Sequence, residues 1–243
     1  MSKLSGKVAL VTGGNKGIGK AVARGLAAEG AALVITARGA ADLQRAADEF
    51  TKQGASVLAL PADVTDEKQV ADVFRQTLAR FGRLDILVNN AGAFDGGPLE
   101  SISIEAWDKV IAVNLRGPFL CTREAFRIMK GQGGGKIINI GSISAQRVRH
   151  GSAPYSASKH GIWGLTQVTA LEGRDFNIAC GCLHPGNTLV ERRQDSAKKE
   201  DDEPMMSSDD LAQAAVLMAT MPAHVNFLEA IVLPVGQAYI GRG

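Results

Sequence analysis

Short apolar runs alternate along the chain with longer stretches whose apolar positions fall three and four apart, the signatures of buried strands and amphipathic helices. Val8-Ala9-Leu10-Val11 is the first strand, and a helical pattern through Ala21, Val22, Leu26 and Ala27 carries on to Gly30. Ala32-Leu33-Val34-Ile35-Thr36 is the second strand, Ala40 to Lys52 a helix, and Ser56-Val57-Leu58-Ala59-Leu60 the third strand. A helix starts near Asp66, Leu84 to Val88 forms a fourth strand, and one long helix is expected from Ile104 to Lys130. Strand Lys136 to Ile140, helix 153–173, strand Ile178 to Leu183, helix Asp209 to Met221 and strand Leu228 to Val232 complete the series. Such alternation predicts an α/β fold, a doubly wound parallel sheet of Rossmann type with helices on both faces, in a single domain spanning 1–243. Residues from Val190 to Pro204 are charged and aperiodic. A substrate loop at about 187–207, able to act as a lid, is the expectation there.

Open α/β sheets bind ligands at the carboxyl ends of their strands. The first strand ends in Thr12-Gly13-Gly14-Asn15-Lys16-Gly17-Ile18-Gly19 and runs into a helix. Glycines let the backbone turn tightly against a phosphate, and the helix N-terminus favours negative charge. Gly13, Asn15, Lys16, Gly17, Ile18 and Gly19 are therefore candidate dinucleotide-binding residues, although the spacing is Gly-x3-Gly-x-Gly. The second strand ends at Ala37-Arg38. An acidic residue there would bind the 2′-hydroxyl of NAD, whereas Arg38 can fork a 2′-phosphate, with Lys16 adding a second positive charge. NADP(H) is expected to be preferred over NAD(H). Asp63, after the third strand, either accepts from an adenine amino group or joins the cap of the helix near Asp66. Asn89-Asn90-Ala91-Gly92 ends the fourth strand, with small residues permitting close backbone approach and two amides able to tie strands together. Pro185-Gly186-Asn187-Thr188 follows the sixth strand on the same edge.

Tyr155 and Lys159 are four apart in the 153–173 helix and so share a face. An ammonium held close to a phenol favours the phenolate, and such a tyrosine can exchange a proton with a substrate oxygen. Ser142, on the turn after the fifth strand, can hydrogen-bond the same oxygen. Asn114 is unfavourable inside a helix and requires a partner, for which an ordered water or a backbone carbonyl would serve, on a proton path to Lys159.

Composition narrows the partners. The 243 residues include 45% hydrophobic ones, enough for a substantial core, and 27 basic against 25 acidic side chains leave a net charge of +2. That balance offers no footprint for nucleic acid or an anionic membrane. No stretch approaches the roughly 20 apolar residues of a membrane span, and the N-terminus runs into the first strand without a secretory h-region, so a cytoplasmic location is expected. The odd set Cys121, Cys180 and Cys182 reads as reduced core thiols. Cys180 and Cys182 are expected on opposite strand faces, and no metal site is expected.

With these residues in view, the chain resembles the short-chain dehydrogenase/reductase family over nearly its whole length. Thr12-Gly13-x3-Gly17-x-Gly19, Asn89-Asn90-Ala91-Gly92, Asn114, Ser142, Tyr155-x3-Lys159 and Pro185-Gly186 match its ordered motifs. The resemblance implies a catalytic tetrad: Tyr155 as acid/base, Ser142 orienting substrate, Lys159 also binding the nicotinamide ribose, and Asn114 holding a relay water. It implies that Asp63 and Val64 meet the adenine, that Asn90 and Thr188 lie along the ribose and nicotinamide, and that the protein pairs through the helices holding Asn114 and Tyr155 into a homodimer or homotetramer. Thr188 follows Pro185-Gly186 more closely than the family's usual threonine, and Leu233-Pro234-Val235-Gly236-Gln237 departs from its usual C-terminus. The expected activity is NADP(H)-dependent hydride transfer to or from a carbonyl or secondary alcohol. A 3-oxoacyl-carrier reductase, with Arg147 or Arg149 at the entrance, is a narrower alternative, and a non-catalytic dinucleotide-binding regulatory or scaffold protein the alternative of another class. The substrate pocket is assigned to loops around Phe94, Ala145, His150 and Val190. His150 and His184 are read as structural or solvent-facing.

Overall fold

The computed structural model describes residues 2–190 and 203–239. Strands β1 (Val8–Thr12), β2 (Ala32–Ala37), β3 (Val57–Pro61), β4 (Ile86–Asn89), β5 (Gly135–Ile140), β6 (Ile178–Pro185) and β9 (Glu229–Val232) form one seven-stranded sheet in the order β3-β2-β1-β4-β5-β6-β9. Every pairing in it is parallel. Helices α1 (Gly17–Ala28), α2 (Ala40–Lys52), α3 (Glu67–Phe81), α4 (Ile104–Ile111), α5 (Gly117–Gln132), α6 (Ala153–Gly173) and α7 (Ser208–Thr220) cover its faces. The sequence order reverses between β1 and β4, which opens a crevice at their carboxyl ends.

Alternate residues of β1 feed opposite cores. Ala9 and Val11 pack with Leu26, Leu43 and Phe50 of α1 and α2, while Val8 and Leu10 pack with Phe74 and Met129 of α3 and α5. Each such fully buried large side chain stabilises the fold by about 1.5–3 kcal/mol. Asp85, just before β4, fixes the opposite end of the sheet. Its carboxylate accepts from the Val8 amide at 3.0 Å and from Lys7 and Arg83. Burial opposes its ionisation, but Arg83, the Val8 amide and Lys7 overcome that and hold the carboxyl below its usual range.

Two expectations require correction. The helix expected from Ile104 to Lys130 is interrupted by a π-helical turn, Ala112–Arg116, that separates α4 from α5. Pro118 lies in the first turn of α5, where its missing N–H is tolerated. Cys180 and Cys182 lie on one face of β6, as residues two apart in a strand must, near Thr169 and Thr166 of α6. All three thiols are free and buried, and burial pushes Cys121 and Cys182 up to about 12. Among the described residues no group of His, Cys, Asp and Glu is arranged to hold a metal, and no helix is long and apolar enough to cross a membrane. The span expected as loop at 187–207 contains a two-stranded parallel ladder, β7 (Thr188–Leu189) with β8 (Met206–Ser207). Residues 191–202 of that expected loop lie outside the described residues.

Candidate active site

A cleft of about 550 Å³ opens at the carboxyl ends of β1, β4, β5 and β6. The turn after β1 forms one wall. Gly13 and Gly17 have φ of 63° and 51°, and a Cβ on Gly19 would stand 2.2 Å from the Gly13 carbonyl oxygen, so the turn closes only with glycine there. Lys16 is the N-cap of α1, with no side-chain cap bond and no acidic residue in the first turn. A helix N-terminus built this way suits an external anion, and the residues present fit a dinucleotide pyrophosphate. Lys16, Arg149, His150 and Lys159 line the cleft, and no carboxylate does among the described residues.

Asn90 fastens β4 to this turn. Its backbone N–H donates to Thr12 Oγ1 at 3.0 Å, and its side-chain amide donates to the carbonyls of Thr12 and Gly13 at 2.9 and 3.1 Å. Asn89 ties β4 to Thr122 of α5 and Asn139 of β5. Ala91 and Gly92 continue the cleft wall.

The π turn presents Asn114 inward. Buried at 2% exposure, it accepts from the Ala93 N–H at 2.7 Å and donates to the Ala93 carbonyl at 2.9 Å and Ser158 Oγ at 3.2 Å. Its side chain thus clamps the loop after β4 to α6 and does not line the cleft.

Tyr155, Lys159 and Ser142 meet in the cleft. The buried Lys159 ammonium donates to the Ile140 carbonyl at 2.8 Å and lies 5.6 Å from the Tyr155 ring centroid. Phe94 packs against the Tyr155 ring at 5.3 Å between centroids, tilted by 60°. Among the described residues the Tyr155 hydroxyl has no hydrogen-bond partner. Ser142 is extended (φ −173°, ψ 156°), and its Oγ accepts from the Ser144 N–H at 3.1 Å.

Behind Ser142 stands His184, a residue that sequence reasoning sets aside. Its ring is fully buried, with Nδ1 2.9 Å from the Ser142 carbonyl oxygen and 3.3 Å from the Ser142 nitrogen. Nε2 faces Glu229 Oε1 of β9 at 3.3 Å, out of hydrogen-bond alignment. Burial lowers its basicity below the ordinary histidine value, with Lys159 adding to the effect and the Ser142 backbone and Glu229 opposing it. Only the strand register brings these groups together: β6 pairs with β5 on one side and β9 on the other. No local sequence signal reports that.

Of the remaining expected residues, Arg38, Asp63 and Val64 lie away from the cleft. Arg38 is exposed just beyond β2. Asp63 accepts from the N–H and hydroxyl of Thr65, while Asp66 is the cap of α3, so Asp63 does not cap that helix. Val64 is buried in the α3/α5 core. Pro185, Gly186 and Thr188 line the cleft, and Thr188 Oγ1 donates to the Gly186 carbonyl at 3.2 Å. The unusual C-terminus supports this wall from behind, since Gln237 Oε1 accepts from the Asn187 N–H at 2.8 Å.

Known proteins share this family and fold. The family model described as short chain dehydrogenase matches residues 7–201. An uncharacterized oxidoreductase of Bacillus subtilis is 40% identical over 190 residues, 77% of this chain and 74% of that protein. A D-beta-hydroxybutyrate dehydrogenase of Rhizobium meliloti is 40% identical over 186 residues, 76% of this chain and 72% of its own length. The crystal structure of a metagenomic short-chain oxidoreductase in complex with NADP superposes with a TM-score of 0.84 at 35% identity, covering 96% of this chain and 99% of that one.

Proposed function

The chain belongs to the short chain dehydrogenase family of oxidoreductases, and on that footing we propose that it is an NADP(H)-dependent enzyme interconverting a small carbonyl compound and a secondary alcohol. The observation that carries the reading is that Tyr155 lines one cleft with Lys159, Ser142 and the glycine turn. Gly13, Asn15, Lys16, Gly17, Ile18 and Gly19 hold the pyrophosphate, Arg38 reads the 2′-phosphate, and Asp63 and Val64 bound the adenine. Asn90, Ala91, Gly92, Pro185, Gly186 and Thr188 complete the nicotinamide side. When bound, the cofactor supplies or accepts the hydride.

The protein's own part is positioning and proton transfer. Ser142 Oγ donates to the substrate oxygen, and Tyr155 gives that oxygen its proton in reduction and removes it in oxidation. Lys159, anchored by Ile140, keeps positive charge beside the phenol. Asn114 holds the loop that carries Phe94 in place through its side-chain bonds to Ala93 and Ser158.

The chain works as one domain and pairs through α4, α5 and α6, a reading supported by exposed Phe119, Val168 and Leu171 on the last two. A 3-oxoacyl-carrier reductase is the second reading, favoured by Arg149 in the cleft wall. Arg147, the other arginine considered for that role, instead lies over the Tyr239 ring at 5.4 Å.

The test is calorimetric titration with NADPH and NADH, followed by a carbonyl panel for wild type and Tyr155→Phe. NADPH binding by both proteins with turnover by wild type alone is the expected result. Turnover by the phenylalanine variant would remove the proton-transfer role, binding without turnover by wild type would favour the regulatory or scaffold alternative, and absence of binding would remove the dinucleotide assignment.

A further inference from the structure

We propose that His184 is a positioning residue for Ser142, holding the serine's backbone so that its hydroxyl is aimed at the substrate oxygen. The inference rests on the proposed oxidoreductase reading of the cleft.

In a fully extended residue the N–H and C=O point to the same side, and Ser142 is extended. One ring nitrogen therefore meets both: Nδ1 is 2.9 Å from the carbonyl oxygen and 3.3 Å from the amide nitrogen of the same residue. A single ring nitrogen donates to the carbonyl or accepts from the N–H, not both at once, and in either tautomer it holds one side of the Ser142 backbone and with it the direction of Oγ. The ring has no slack. A Cβ on Gly141 would come within 2.6 Å of Nδ1 and 2.8 Å of Cε1, and Trp163 stands edge-on at 5.9 Å between centroids.

The other nitrogen faces Glu229 without a hydrogen bond in line. With the proton on Nδ1, the Ser142 carbonyl is served but Nε2 turns a lone pair toward Glu229. With the proton on Nε2, Glu229 is faced by a donor and Nδ1 accepts from the Ser142 N–H. Glu229 is itself fixed, accepting from Gln146 Nε2 at 2.7 Å, and Gln146 contacts the Tyr239 hydroxyl. A histidine serving only to fill the core would need neither contact to Ser142. The charged groups facing the ring are Glu229 from β9 and Lys159 from α6, and the Cys182 thiol stands beside the ring against Gly141.

A double-mutant cycle tests the coupling, with NADPH binding and thermal melting as controls. His184→Leu keeps bulk and removes the clamp; His184→Asn places an amide where Nδ1 stands. Loss of the clamp is expected to lower kcat by roughly 10- to 100-fold, the effect of misplacing a reacting group by about 1 Å, with the NADPH Kd unchanged. His184→Asn is expected to retain most of kcat, and in a Ser142→Ala background the leucine change is expected to have little further effect. Equal losses with and without the serine hydroxyl, or an asparagine variant as impaired as the leucine one, would overturn the assignment. Should His184→Leu fail to fold, His184→Gln carries the same cycle, since it keeps an amide toward Glu229 without a group at Nδ1. A wild type that binds cofactor but turns over no carbonyl or alcohol defeats the underlying reading, and this inference with it; an active wild type with an additive cycle defeats the inference alone.

Discussion

Lys159 places its buried ammonium 2.8 Å from the carbonyl oxygen of Ile140, at the carboxyl end of β5. This bond ties the cation to the sheet and holds it beside Tyr155, so charge and alignment are lost together when it is removed. Lys159→Met is expected to reduce kcat by about 10²- to 10⁴-fold, the range of a general acid–base contribution. Steady-state kinetics beside a circular-dichroism melt separates that loss from unfolding.

Arg38 stands exposed just beyond β2, with no acidic residue at the strand end. Arg38→Ala is expected to weaken NADPH binding by about tenfold or more, the scale of one charge-assisted hydrogen bond of ~1.5–3 kcal/mol, and to leave NADH binding unchanged. Titration calorimetry with both cofactors gives the ratio. Parallel weakening of both would assign Arg38 to the fold.

A side chain at Gly19 has nowhere to go, because its Cβ would meet the Gly13 carbonyl oxygen at 2.2 Å and Asn90 Nδ2 at 2.3 Å. Gly19→Ala is expected to open the turn and abolish measurable cofactor binding. Fluorescence titration with NADPH is the direct check.

Asn114 satisfies both polar groups of Ala93 from a buried position. Asn114→Leu leaves that N–H and carbonyl without their partner, and is expected to destabilise the protein by about 1–3 kcal/mol. Denaturant unfolding measures the loss, and hydrogen exchange is expected to localise it to the loop after β4.

Acid stability has a component traceable to His184. Burial lowers its folded-state titration below the ordinary value near 6.5, so the unfolded chain takes up this proton first as the pH falls. The contribution is complete above about pH 6.5 and is lost as the pH falls through the folded value. Melting temperatures from pH 7.5 to 5 are expected to fall less steeply in His184→Asn than in wild type, and equal slopes would contradict this.

The strand series and the glycine turn are legible in the amino-acid sequence because they are written in local periodicity and spacing. Tyr155 and Lys159 are legible for the same reason, being one helical turn apart. The π turn is harder, since the apolar pattern from Ile104 to Lys130 runs through it unchanged; Gly117-Pro118 is the one local warning. Asn114 has a role assigned by resemblance, yet its side-chain partners come from the loop after β4 and from α6. His184 and Glu229 are illegible for a different reason: they are 45 positions apart, and their approach to Ser142 depends on how three strands align.

The turn at Ala112–Arg116 amounts to one residue more than a regular helix needs. Deleting a residue there would restore unbroken α geometry with α4 and α5 still in register, since the π turn absorbs its extra residue locally, and would remove the bulge that presents Asn114. Helix content would rise slightly while Asn114 swung off Ala93. Spectroscopic helicity and competence would then move in opposite directions, so a variant selected for a smoother helix is a variant selected against the site.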